Sequence, residues 1–189
     1  MRFVQDDAEI LQREEKLFKI LAKKSNTKEE KNWLKWKFKE YKIKNSDISE
    51  LKIRMDIIPV SLAIAQAALE TGWGESRFAN EANNLFGIRT WNQEDKHLIP
   101  MPASVDPAFK TVWPGWGVKV YETKCDSVKD YMRIINEVFA YAEFREMRGD
   151  GETDALVLAR TLKRWAAEDH YTDLIEDVIK YNIRGKYDL

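Results

Sequence analysis

The sequence predicts a mainly α fold (α+β overall) with a small, irregular β-lobe near the middle of the chain. Residues 8–24 and 128–140 repeat apolar side chains every three or four positions, as helices do. Residues 60–71 are apolar on nearly every side, which indicates a buried helix. The helical period is absent from about 89 to 123, where four of the five prolines lie. Within that stretch, residues 118–121 alternate as a strand does.

The first part of the chain, residues 1–45, predicts an N-terminal helical extension that packs on the main domain. Residues 8–24 form an amphipathic helix, after which Thr27 and Glu30 have the spacing of a capping box. Residues 28–44 place aromatic and aliphatic side chains among lysines. This pattern favours a helix that buries its aromatics, although it also suits a basic surface for an anionic polymer, and a strand remains an alternative.

The main domain, residues 46–189, begins with a short helix at 48–55 and continues with the helix at 60–71. Pro59 suits the first turn of that second helix. A turn at 72–74 and a short polar helix lead into the β-lobe. After the lobe we expect Ser127 to cap a helix at 128–140, Thr153 to open a helix through about Ala167, and a last helix at 171–181.

The composition argues against several classes of protein. A net charge of −1 provides no field that would favour nucleic acid or an anionic membrane. Cys125 is the single cysteine, and His97 and His170 lie far apart, so we expect neither a disulfide, a metal nor a cofactor. No apolar run is long enough to span a membrane, and no signal peptide is visible. We expect a soluble monomer.

The helix at 60–71 carries the strongest candidate for a catalytic residue. Glu70 lies at its end and is followed by a Gly-Trp-Gly turn. Apolar surroundings and the negative end of the helix dipole both disfavour a charged carboxylate, so we expect a raised pKa for Glu70. A carboxylic acid that keeps its proton near neutral pH is what hydrolysis of a glycosidic bond requires. The alternative is a capping or ion-paired glutamate, with Arg77 as its partner.

The motif around Glu70 resembles that of a known family. Ala-Gln-Ala-Ala-Leu-Glu-Thr-Gly-Trp-Gly at 65–74, with Asn-Leu-Phe-Gly at 84–87, is similar to the peptidoglycan β-N-acetylglucosaminidases of glycoside hydrolase family 73. The similarity is strongest to the Bax-type branch and to the enzyme domain of the flagellar rod-cap protein. It implies that Glu70 is the general acid. It also implies that four matched residues help to bind the substrate: Gln66, Asn84, Phe86 and Gly87.

Weaker similarity continues on both sides, over residues 48–182. Residues 165–171 resemble the family's run of an aromatic residue, Ala-Thr-Asp and a later Tyr, which adds Trp165 and Tyr171 to the expected substrate site. The resemblance implies a lysozyme-like fold. It also implies an endo-acting enzyme that hydrolyses β-1,4 bonds in the glycan strands of bacterial peptidoglycan, in the periplasm or cell wall.

One residue that the family leads us to expect is absent. Family members often carry a second acid on the β-lobe, at a place that falls near Gly117 here. Asp106 and Glu122 are the candidates to replace it, and both also suit a surface charge; Glu94 and Asp95 lie nearby. Without a second acid, another group would activate water, or the acetamido group of the substrate would assist.

Four tryptophans are candidates to stack on sugar rings. Trp73 and Trp91 adjoin the two parts of the motif, and Trp113 and Trp116 lie in the lobe. Core packing is the favoured role for each of them, least so for Trp91.

Two rival functions follow from the same motif. A lytic transglycosylase would act on the same polymer through one glutamate. The absent lobe acid motivates the other, a catalytically weak module that binds peptidoglycan.

Overall fold

The computed structural model describes residues 3–100 and 113–183, and the prediction of a mainly α fold with a small β-lobe is confirmed. The helices are α1 Phe3–Leu21, α2 Lys28–Glu40, α3 Ile48–Arg54, α4 Val60–Thr71, α5 Arg77–Glu81, α6 Lys124–Glu137, α7 Ala142–Gly149, α8 Ala155–Ala159 and α9 Tyr171–Val178. The strands are β1 Arg89–Thr90, β2 His97–Leu98 and β3 Gly117–Lys119. Among these helices, none is both long and apolar enough to cross a bilayer.

The chain divides into two compact units. The first unit combines residues 1–63 with 132–189, and the second comprises residues 64–131. In the first unit, Leu17, Tyr41, Leu51 and Met55 form a buried cluster that joins α1, the end of α2 and α3. The predicted extension therefore shares a core with residues beyond its expected boundary at 45.

The helix starts near the N-terminus follow the expected capping chemistry. Thr27 caps α2, and the capping box is complete: the Thr27 side chain accepts from the Glu30 backbone, and the Glu30 carboxylate accepts from the Thr27 backbone. Asp47 caps α3 by accepting from the backbone N–H groups of Ser49 and Glu50. Each of these N-cap residues stabilises its helix by about 1 kcal/mol.

Several boundaries in the C-terminal half differ from those predicted. Helix α6 begins at Lys124 rather than 128, because Thr123 and Asp126 cap it reciprocally. Ser127 therefore lies inside α6 and does not cap it. Helix α7 was not predicted. The helix expected from Thr153 to Ala167 is only α8, which Asp154 caps, and turns replace it beyond Arg160.

A cluster of three charged side chains ties α1 to the rest of the first unit. Arg148 on α7 pairs with Asp56 at 2.7 Å and donates to the carbonyl oxygens of Ile53 and Ile57. Glu14 on α1 faces Asp56. Burial is the largest cause that raises the pKa of Glu14, and the negative charge of Asp56 is the second. Together they raise this pKa to about 7, although the positive charge of Arg148 lowers it.

Glu14→Gln should remove a pH dependence of stability between about 4.5 and 7. The folded chain holds the Glu14 proton in this range while the unfolded chain releases it, so the free energy of unfolding falls as the pH rises. The wild-type protein should therefore have a lower Tm at pH 8 than the variant, and the two should agree at pH 4. Glu15→Gln is the matched control, because Glu15 pairs with Lys19 at the surface. An equal pH response in Glu14→Gln and wild type would contradict this prediction.

The second unit contains the small sheet. Its strand order is β1-β3-β2, and both pairings are antiparallel, with Arg89 opposite Val118 and His97 opposite Lys119. Gly117 permits the close approach of β2, since a Cβ there would lie 2.9 Å from the Cβ of His97. The family pattern leads us to expect an acid near this position, and at Gly117 itself any side chain would collide with His97.

Candidate active site

Glu70 lies in the last turn of α4, and its carboxyl group lies against the backbone of the Asn-Leu-Phe-Gly loop. A Cβ built on Gly87 would be 2.7 Å from Glu70 Oε2, and Gly87 has a φ of +63°. Two properties of glycine are therefore needed at this position. The left-handed backbone favours it, and the absence of a side chain leaves room for the carboxyl group.

The turn after Glu70 is held by the side chain of Thr71. Its hydroxyl donates to the carbonyl oxygen of Ala67 and accepts from the backbone N–H of Gly74 at 2.8 Å. Gly72, Trp73 and Gly74 all have positive φ, and the Trp73 N–H closes the helix by donating to the Ala68 carbonyl at 2.8 Å. Three consecutive left-handed residues thus turn the chain sharply directly after the acid.

A second contact holds α4 to the same loop, one turn before Glu70. The Tyr131 hydroxyl donates to Gln66 Oε1 at 2.7 Å, and the Tyr131 ring stacks on Phe86 with centroids 4.0 Å apart. All three side chains are at most 1 % exposed. Because Phe86 precedes Gly87, the loop is fixed to α4 both at Gln66 and at Glu70.

Asn84 holds the loop itself in shape. Its amide NH₂ donates to the carbonyl oxygens of Ile88 and Lys119, and its Oδ1 accepts from the backbone N–H groups of Phe86 and Ile88. Asn83, with a φ of +52°, donates to the carbonyl oxygens of Tyr121 and Glu122. Two adjacent amides therefore join the loop to the segment that contains β3.

These contacts change the roles expected for three of the matched residues. Gln66, Asn84 and Phe86 were predicted to bind substrate, but their side chains are buried and engaged within the protein. We assign them to positioning Glu70 and the loop. The backbone of Gly87 lies beside the Glu70 carboxyl group.

Two of the predicted sugar platforms are exposed. Trp73 is 61 % exposed and Trp91 is 71 % exposed, in contrast to the buried ring of Phe86 in the loop. Trp113 packs edge-on against the His97 ring, and the Arg89 guanidinium lies 4.2 Å from the Trp116 ring centroid. Trp73 and Trp91 thus have the accessibility that sugar stacking requires, whereas Trp113 and Trp116 are engaged within the lobe.

Two acidic residues of the lobe, Glu122 and Asp95, are engaged with neighbouring side chains. The Glu122 side chain is 77 % exposed and pairs with Lys96. Asp95 accepts from the Thr90 hydroxyl and the Asn92 amide, so it stabilises the turn after β1. Asp106 lies outside the described residues.

Trp165 and Tyr171 belong to the first unit. The Trp165 ring lies 5.6 Å from that of Tyr141, and Tyr171 is 5 % exposed at the start of α9. Arg77, the proposed partner of Glu70, donates to the carbonyl oxygen of Ile99 at 2.8 Å. The residues described contain no cluster of side chains that could hold a metal ion.

The positioning roles of three residues were not predicted from the sequence. Thr71 and Tyr131 were noted only as parts of matched stretches, and Ser127 was expected to be a helix cap. The Ser127 hydroxyl instead accepts from the backbone N–H of Leu85 at 3.0 Å, which fixes the loop to α6. The available signal for Thr71 was its place directly after Glu70 within the matched motif at 65–74.

Comparison with known proteins identifies the family. The profile described as mannosyl-glycoprotein endo-beta-N-acetylglucosaminidase, the Glucosaminidase family, matches residues 45–184. Protein bax of Escherichia coli is 29 % identical over 140 residues, which cover 71 % of this chain and 45 % of that protein. No solved structure is significantly similar to the chain.

Two further relatives are named for their enzymatic activity. Peptidoglycan hydrolase FlgJ of Vibrio parahaemolyticus is 33 % identical over 131 residues, covering 62 % of this chain and 39 % of that protein. Exo-glucosaminidase LytG of Bacillus subtilis is 27 % identical over 132 residues, covering 68 % of this chain and 44 % of that protein. The chain thus spans less than half the length of these relatives. With the family profile matching most of its length, the chain belongs to the glucosaminidase family, glycoside hydrolase family 73.

Proposed function

We propose that this chain hydrolyses β-1,4 glycosidic bonds in the glycan strands of bacterial peptidoglycan as an endo-β-N-acetylglucosaminidase, with Glu70 as general acid. The observation that carries the proposal is the carboxyl group of Glu70, held against the Gly87 backbone at the end of a buried helix. The negative end of that helix disfavours a second negative charge, which favours the protonated acid. The family match and the names of the relatives FlgJ and LytG support peptidoglycan as the substrate.

The proposed reaction begins with transfer of the Glu70 proton to the glycosidic oxygen as the bond to the anomeric carbon breaks. Positive charge develops on the sugar ring, and water completes the hydrolysis. Trp73 and Trp91 are proposed to bind sugar rings on their exposed faces. Trp165 and Tyr171 stay candidate substrate residues on the strength of the family motif. Because the polymer lies outside the cytoplasm, we propose that the protein acts in the periplasm or cell wall.

Mass spectrometry of digested peptidoglycan tests this proposal. Oligosaccharides that end in a reducing N-acetylglucosamine support the endo-glucosaminidase. Single N-acetylglucosamine residues released from chain ends would indicate exo-action instead. A 1,6-anhydro-muramic end would indicate a lytic transglycosylase. Binding to intact sacculi without loss of turbidity or release of sugar would favour a binding module.

Glu122→Gln is expected to leave the hydrolysis rate within about twofold of wild type. The reason is that an exposed carboxylate paired with a lysine contributes little free energy to the structure around it. Rates of sugar release from sacculi, measured beside Asp106→Asn and wild type, check this expectation. Loss of a general base lowers the rate by roughly 10²- to 10⁴-fold. A loss of that size in Glu122→Gln would contradict the prediction and assign the second acid. A loss confined to Asp106→Asn would assign it there, and none in either would favour assistance by the substrate.

A further inference from the structure

The outer face of α2 carries a stripe of four lysines that the proposed reaction does not use. We call Lys28, Lys31, Lys35 and Lys39 the lysine stripe. Their spacing of three, four and four residues places them on one side of the helix, and all four are exposed. The stripe is about 16 Å long, because its ends are eleven positions apart along a helix that rises about 1.5 Å per residue.

The charge of this stripe is not balanced locally. Several other lysines of the chain face carboxylates, including Lys19 with Glu15, Lys42 with Glu137 and Lys180 with Glu176. Among residues 12–100 and 113–183, whose side chains the structure describes, no member of the lysine stripe forms an ion pair. Residues 22–44 contain nine lysines and three glutamates, a net charge of +6, although the whole chain carries −1. The remainder of the chain therefore carries −7.

An exposed tryptophan lies at the edge of the stripe. Trp36 is 55 % exposed, and the ammonium group of Lys37 lies 4.3 Å from its ring centroid. Lys37 itself is buried and pairs with Glu40 at 2.6 Å, so the cation beside the indole is held in place. A large aromatic surface is thus presented to solvent among ammonium groups, which suits a ligand that offers both sugar rings and anions.

The inner face of α2 is already occupied. Trp33, Leu34 and Phe38 pack on the buried cluster formed with α1 and α3. The whole stripe also lies before residue 45, where the match to the glucosaminidase family begins. The stripe therefore lies outside the residues that match the family, and it faces solvent because the opposite face of the helix is packed on the protein.

We propose that the lysine stripe and Trp36 form a second binding surface for peptidoglycan, separate from the Glu70 site. The lysines bind carboxylates of the stem peptides, and Trp36 packs on a sugar ring. The identity of the polymer rests on the proposed function. Carboxylates carried at intervals along a glycan suit four ammonium groups spread over about 16 Å. Nucleic acid and anionic membranes present denser charge, and binding to either of them is an outcome of the test below.

Co-sedimentation of the full chain with purified sacculi tests the proposal. Changing all four stripe lysines to Gln should lower the bound fraction by about tenfold at low salt and flatten its dependence on salt. Trp36→Ala should weaken binding without changing the salt dependence. The matched control changes four exposed lysines elsewhere, Lys52, Lys124, Lys129 and Lys163, to Gln. Circular dichroism checks that every variant keeps its helices.

Three results would overturn the proposal. The first is unchanged binding by the stripe variant, and the second is an equal loss in the control variant. The third is stripe-dependent binding to DNA or phosphatidylglycerol vesicles that is stronger than binding to sacculi. Sugar release is measured separately, so the two proposals can fail independently. Stripe-dependent binding without sugar release would contradict the proposed hydrolysis alone, whereas sugar release with unchanged binding would contradict the second surface alone.

Discussion

Glu70→Gln should abolish hydrolysis of peptidoglycan, with a fall in kcat of about a thousandfold or more and an unchanged fold. Glutamine keeps the size and shape of the side chain beside Gly87 but has no proton to give to the leaving oxygen. General-acid groups contribute roughly 10²- to 10⁴-fold to rate, so the loss should appear mainly in kcat while binding to sacculi persists. Release of reducing sugars from sacculi provides the measurement.

Glu75→Gln is the control for this variant, because Glu75 is exposed in the turn that follows the same helix. It should retain wild-type activity. A Glu70→Gln protein as active as wild type would remove Glu70 from the mechanism. A protein that loses both activity and its thermal transition would instead show that Glu70 is needed for folding.

Gly87→Ala should lower activity by about a hundredfold through displacement of Glu70. The added methyl group would lie 2.7 Å from Glu70 Oε2, so either the carboxyl group or the loop must move. Misplacing a catalytic group by about 1 Å can reduce a rate about a hundredfold. Alanine at a φ of +63° also destabilises the fold by about 1–2 kcal/mol. Urea unfolding measures the loss of stability, and sugar release measures the loss of activity.

Gly72→Ala separates these two effects. Gly72 has a similar φ of +55°, but a Cβ there would meet no atom within 4 Å. The two variants should lose comparable stability, whereas only Gly87→Ala should lose most of its activity. If both lose activity equally, backbone strain in the site, rather than contact with Glu70, explains the effect.

The sequence predicted best where one local signal was sufficient. The almost wholly apolar stretch at 60–71 predicted α4, and the Thr27–Glu30 spacing predicted the start of α2. Ser127 was assigned wrongly because Thr123 and Ser127 offer similar capping groups. Thr123 caps the helix together with Asp126, while the Ser127 hydroxyl accepts from the backbone N–H of Leu85, 42 residues away. Such a distant contact leaves no trace in the local pattern.

The motif indicated a candidate site but did not separate residues that touch the substrate from residues that support the site. Gln66, Asn84 and Phe86 matched it as well as Glu70 did, yet their side chains are buried among protein groups. A match shows that a residue type suits a position without showing what it touches. Tyr131 is the opposite case, a supporting residue that the motif did not single out. Its link between Gln66 and Phe86 depends on packing between α4 and α6.

The amide of Asn84 also has a consequence for the order of folding. The three strands contain only two or three residues each, too few to persist as an isolated sheet. Asn84 joins the loop to the Lys119 carbonyl across 35 residues, so the lobe must close a long loop before its hydrogen bonds can form. Non-local closure of this kind is slow. The backbone amides of β1, β2 and β3 should therefore gain protection from hydrogen exchange late in refolding, together with that of Leu85.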